Sequence, residues 1–85
     1  MAPASMPFHS RIHVELRDLT RRLILEYRGA LPPGQVMVAV QDANRILGRS
    51  VVPERRVPAC EGIARRVLSE RVAAIAVEQA LQRTA

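Results

Sequence analysis

Few side chains in this sequence are equipped for chemistry, and their spacing decides what each could do. Cys60 follows a proline-bearing stretch and precedes Glu61, near an expected helix start, where the backbone dipoles favour a thiolate. A nucleophile also needs a base, and no spacing ties a histidine to it, so Cys60 reads as a small buried hydrophobe. His9 and His13 are four apart with Glu15 close by, a separation that brings two imidazoles onto one helical face. Two histidines without a further Cys, His or acid cluster do not make a zinc site, so they read as solvent-exposed. A phosphate-cradling glycine loop, a Ser-centred elbow and a carboxylate pair in a catalytic context are all missing. The sequence therefore offers no catalytic residue, no cofactor site and no metal site, and the expectation is a protein that is not an enzyme.

The remaining chemistry is charge. Thirteen basic residues against eight acids give a net charge of +5 and a pI near 11.3, and every basic residue is arginine. Selection for bidentate contacts to phosphate or carboxylate is one explanation. Coding bias is the plainer one, because most of these arginines stand beside acids at helical spacing. Arg17, Arg21 and Arg28 fall together on a first helix without acid neighbours, and Arg55 and Arg56 open the stretch leading to the third. These five residues are the candidate anion or nucleic-acid patch. A helix-turn-helix motif needs a turn of about 3–4 residues before its recognition helix. The stretch 49–58, with Pro53 and Pro58, reads as a connection too long for that.

The elements that carry these residues are three amphipathic stretches cut apart by two proline-bearing breaks. Ile12, Leu16, Leu19, Leu23 and Tyr27 recur every three or four residues, which is one stripe of a helix over about 10–28, with Ser10 as its N-cap and Gly29 as its left-handed stop. Flanking pairs four apart, such as Arg11–Glu15 and Arg22–Glu26, support that helix. Pro33 opens a second helix over 33–47, with Val36, Ala39, Val40, Ala43, Ile46 and Leu47 inward and Gly48 as its stop. A third helix, about 58–83, carries two apolar stripes. Ile63, Val67, Ala74 and Leu81 form one, with Val77 beside it. Ala64, Leu68, Val72 and Ile75 form the other. The pattern predicts an all-α, small three-helix bundle over 10–85 behind a flexible leader at 1–9.

Hydrophobic content of 48% with one Phe, one Tyr and no Trp makes the core aliphatic. No apolar run reaches the ~20 residues of a membrane span, and the first residues lack the pattern of a secretory signal. One cysteine excludes an internal disulfide and fits a reducing cytosol, so the expected location is cytoplasmic. A domain of this size buries only about 60–65% of its unfolded surface, and self-association commonly supplies the rest of its stability.

Leu19-Thr20, Glu26-Tyr27, then Pro33, Val36, Val40 and Ala43, and finally Arg56-Val57-Pro58 leading into Ile63-Ala64-Arg65-Arg66-Val67-Leu68 form a recognisable order. Over about residues 12–72 this order resembles small actinobacterial proteins with a three-helix bundle dimerisation domain. The chain departs from that group at Cys60-Glu61-Gly62 and in the Ala-rich extension beyond Val72. The resemblance implies self-association and no known catalytic activity. The expected function is thus a helical interaction module that forms a homodimer, or pairs with a related helical partner, through Ala64, Leu68, Val72 and Ile75 of helix three. The alternative is a nucleic-acid-associated regulator gripping phosphates with Arg17, Arg21, Arg28, Arg55 and Arg56. Neither a membrane nor a small-molecule substrate is expected as a partner.

Overall fold

The computed structural model describes residues 8–84, with side-chain environments from Arg11 onward. Three α-helices follow one another: α1 (Phe8–Glu26), α2 (Pro33–Leu47) and α3 (Pro53–Thr84), with no strand among the described residues. The all-α expectation holds. Most of the expected leader lies outside the described residues. Phe8 and His9 fall within them and already belong to α1, so Ser10 is inside the helix rather than its N-cap.

Leu19 and Leu23 of α1 are fully buried, with Leu16 and Tyr27 packed against them, as the three-four spacing requires. The helix stops where Gly29 takes φ +88°, a conformation that costs a residue with a Cβ about 1–2 kcal/mol. This reversal lets the Leu31 N–H reach the Tyr27 carbonyl at 3.0 Å and drops the Leu31 side chain into the core. Pro33 occupies the first turn of α2, where its missing N–H is harmless. Val36, Ala39, Val40, Ala43 and Leu47 line its buried face, and Gly48 ends it at φ +53° with its N–H on Asn44 O. Ile46, expected inward, is instead 69% exposed. It shares the apolar character of its neighbour Leu47, but sits about 100° around the helix from it.

The largest departure is the start of α3. The expected connection over 49–58 shrinks to residues 48–52, because Pro53 opens the helix and Pro58 is carried inside it. Pro53 sits where a proline ring fits without losing a bond, and Arg55 N–H closes the first turn onto Val52 O at 3.0 Å. Pro58 removes one later backbone bond. The early start sets Arg56 against the end of α2, where its guanidinium donates to Asn44 Oδ1 at 3.1 Å and also to the Gly48 carbonyl. One side chain thus serves the Gly48 carbonyl, which the helix C-terminus leaves unpaired, and the side-chain amide of Asn44. Replacing Arg56 by alanine is expected to cost about 1–2 kcal/mol and to lower the melting midpoint by about 5–10 °C in a domain this small. Lysine should recover little, since its single ammonium cannot span both acceptors. A thermal melt of both variants checks this, and an unchanged midpoint would remove Arg56 from its capping role.

The contacts fix an up-down-up arrangement. Cys60 of α3 meets Val40 of α2, and Arg56 meets Asn44, so α2 and α3 run antiparallel. Arg22 pairs with Glu61 and Glu26 with Arg65, so α1 and α3 run parallel. A five-residue turn joining two antiparallel neighbours is a helical hairpin. The connection is shorter than the sequence led one to expect, and α3 follows α2 back along its length, from Arg56 beside Asn44 to Arg71 near Gln35, as in a helical hairpin.

Candidate functional site

Three groups of residues remain after packing: an ionic seam, an outward apolar stripe and a set of arginines.

The seam ties α1 to α3. Arg65 makes a two-pronged contact with Glu26, Nη1 to Oε2 at 2.5 Å and Nη2 to Oε1 at 2.8 Å, while its Nε donates to Glu61 at 2.9 Å. Arg22 closes the set at 3.6 Å from Glu61. The Arg65 hydrogen bonds and the charges of Arg65 and Arg22 hold the Glu26 carboxyl below its usual range, and the Arg65 guanidinium is correspondingly raised. Arg22 and Glu26 therefore serve the packing of α1 on α3, whereas their spacing alone reads as a pair within α1. Tyr27 Oη lies 3.2 Å from Ser69 Oγ and extends the same seam.

The two stripes of α3 are assigned opposite to the expectation. Ala64 and Leu68 are 0% exposed, and Val72 and Ile75 are half-buried against the same core. The four residues expected to form an interface are packing residues of the monomer. The reason lies upstream: with α3 starting at Pro53, Val57 and Cys60 join that stripe and lengthen it along α2. The other stripe faces out. Val67, Val77 and Leu81 are exposed, and Ile63 and Val67 border the outer edge of α2 beside Val38 and Ile46.

This outward face continues past the bundle. α3 has 32 residues, a length of about 48 Å, against 15 residues and about 22 Å for α2. The first turn of α2, Pro32 to Gln35, lies opposite Val67 and Arg71, so α3 runs on without α2 beyond that level. Every residue from Ala76 to Thr84 is exposed. Ala73, Ala74, Val77, Ala80 and Leu81 make this arm apolar and small-sided. Among the described residues, Arg71 and Glu78 take part in no ion pair within the chain. They sit seven apart, on one flank of the arm.

Cys60 is fully buried, with its thiol donating to Val40 O at 3.4 Å. It is the eighth residue of α3, two turns past the dipole end expected to stabilise a thiolate. Burial pushes its pKa up, partly offset by the charge of Arg56. Its reaction with a disulfide reagent at pH 8 is expected to be slower in the native protein than in denaturant by on the order of 100-fold or more, because the chain must open first. Equal rates would place the thiol at the surface.

The five arginines of the candidate anion patch are divided. Arg17 and Arg21 are exposed on α1, Arg28 is exposed in the turn just beyond it, and Arg55 is exposed in the first turn of α3, but Arg56 is engaged on the end of α2. No cluster of three or more His, Cys, Asp or Glu residues suited to a metal occurs among the described residues, and no described helix is long and apolar enough to cross a membrane. The chain matches no protein-family model, no curated protein and no solved structure.

Proposed function

We propose that this chain is a non-enzymatic, cytoplasmic association module whose partner is a second copy of itself. The supporting observation is the outward run Val67, Ala74, Val77 and Leu81, bordered by the half-buried Ile63 and continued on α2 by Val38 and Ile46. An isolated helical segment of about a dozen residues is marginal in water, so the arm beyond Arg71 gains stability from a covering partner. Burying one Leu or Val side chain contributes about 1.5–3 kcal/mol, and a two-fold axis counts each residue twice.

Charge selects the orientation. Val67, Ala74 and Leu81 are seven apart, with Ile63 and Val77 on the adjoining positions, which is a short coiled-coil seam. Antiparallel pairing of two such seams, centred near Ala74 and Val77, sets Arg71 of one copy beside Glu78 of the other, twice. Parallel pairing leaves both charges without a partner. The resemblance to the actinobacterial three-helix dimerisation proteins points to the same kind of association, with the contact moved from Ala64, Leu68, Val72 and Ile75 to the neighbouring stripe. The lone, buried Cys60 suits a reducing compartment.

Light scattering across a concentration series at moderate salt tests the reading. The expected mass is twice the 9.4 kDa of the chain. A mass of 9.4 kDa persisting at a protein concentration of about 100 μM would overturn it, since that sets Kd above ~0.1 mM and the association free energy weaker than about −5.5 kcal/mol.

A further inference from the structure

On the side of α1 turned away from α3, a second groove runs between α1 and α2. Arg22 and Glu26 reach toward α3, and Thr20, Ile24 and Arg17 lie about half a turn around the helix from them. The floor of the groove is apolar: Leu16 and Ile24 from α1, Val40 and the 45% exposed Met37 from α2. Thr20 donates its hydroxyl to Leu16 O at 2.8 Å, which satisfies its polar atom locally. The depression encloses about 400 Å³. It passes at Ile24 into a second hollow reaching Arg28 and Leu31.

The rim carries one sign of charge. Arg17 and Arg21 border the groove beside His13, and Arg28 borders its continuation. None of the three arginines has an ion pair among the described residues. The facing wall of α2 supplies only the neutral amides Gln41 and Asn44. From His13 to the end of α1 at Glu26 the groove follows the helix for thirteen steps, about 20 Å or between three and four turns, and Arg28 stands in the turn just beyond.

We propose that this groove receives an amphipathic helix of a partner protein, apolar on one side and acidic along its flanks, as the fourth helix of a bundle. Antiparallel α1 and α2 already hold α3 on one side, and a helix on the other completes the arrangement at ordinary packing distances of about 8–10 Å. The apolar residues of the partner meet Leu16, Ile24 and Met37, and its carboxylates meet Arg17, Arg21 and Arg28. A second copy does not suit this role. The eight acids of the chain are spread singly from Glu15 to Glu78, and no helix of the chain presents an acidic flank. A nucleic-acid backbone would engage the arginines and leave the apolar floor uncovered, with no Phe, Tyr or Trp in the groove for a base to stack on.

Fluorescence anisotropy with three designed 18-residue helices tests the proposal. They share one leucine stripe and carry Glu, Gln or Lys along its flanks. The Glu helix should bind the full-length protein at least tenfold more tightly than the Lys helix, with the preference shrinking as salt rises. The double variant Arg17→Glu with Arg21→Glu should reverse the order of preference and keep its helical circular dichroism and its molar mass. Met37→Asp should weaken all three helices. Equal binding of the three helices, no binding of the Glu helix, or indifference to Arg17 and Arg21 each overturns the proposal. Binding of a duplex oligonucleotide that needs Arg17 and Arg21, with no helix bound, overturns it in favour of nucleic acid. The molar-mass readout keeps the outcome separate from self-association through α3.

Discussion

Replacing Leu68 by arginine is expected to leave the chain unfolded, with loss of helical circular dichroism at 25 °C. Leu68 is among the largest fully buried side chains, and the stripe it belongs to packs against both α1 and α2. Truncating such a leucine to alanine costs about 2–5 kcal/mol through lost transfer energy and the cavity left behind. A domain of 85 residues holds a total stability of about 4–13 kcal/mol, so even the alanine variant uses up much of it. Arginine adds the desolvation of a charge for which no acid stands in that part of the core. A folded, monomeric Leu68→Arg protein would show instead that this stripe is an interface and that the packing of α3 described above is wrong. The comparison with Val67, one residue away and turned outward, makes the result specific: Val67→Arg should keep the fold.

The second large effect is expected on the arm of α3. If the chain pairs as proposed, Val77→Glu combined with Leu81→Glu should give a folded monomer, weakening association by more than 100-fold. Each removed apolar contact is worth about 1.5–3 kcal/mol and recurs across the two-fold axis. Both side chains are more than half exposed in the single chain, so the melting curve of the dilute protein should change little. Orientation has its own test. Arg71→Glu alone, or Glu78→Arg alone, brings like charges together at two places and should raise Kd by about tenfold or more. The double exchange restores opposite charges and should return Kd to within a few-fold of the starting value. Rescue of this kind identifies the antiparallel pairing. Single exchanges with no effect on the sedimentation or scattering mass would exclude it, and a parallel seam or a different surface would then carry the association.

Local sequence determined much of this protein. The spacing from Ile12 to Tyr27 fixed the buried side of α1, since a three-four repeat of leucines can be hidden along only one line of a helix. Pro33 and Gly48 fixed α2 almost to the residue, because a proline suits a first helical turn and a glycine tolerates positive φ at a stop. Gly29 fixed the first reversal in the same way. Each of these features is legible because its physical cause lies within a few residues of itself.

The start of α3 and the choice between its stripes were not legible in that way. Pro53 and Pro58 are each acceptable in a first turn, and the difference is made by Arg56, whose guanidinium finds its acceptors on Asn44 and Gly48 at the end of another helix. The stripes through Leu68 and through Val67 are comparable in apolar character and lie about 100° apart, so periodicity cannot rank them. Small residues at Cys60 and Ala64 let α2 approach closely enough for the Cys60 thiol to meet the Val40 carbonyl, and the seam from Arg22 and Glu26 to Glu61 and Arg65 sets α1 on the other flank. These two contacts, twenty and about forty residues apart in the chain, turn Leu68 inward and leave Val67 outside. Residue pattern is enough to specify three amphipathic helices and where two of them end. Which apolar surface is core and which stays exposed is set by the packing of the helices, because that choice depends on the side chains another helix presents rather than on the pattern of the helix itself.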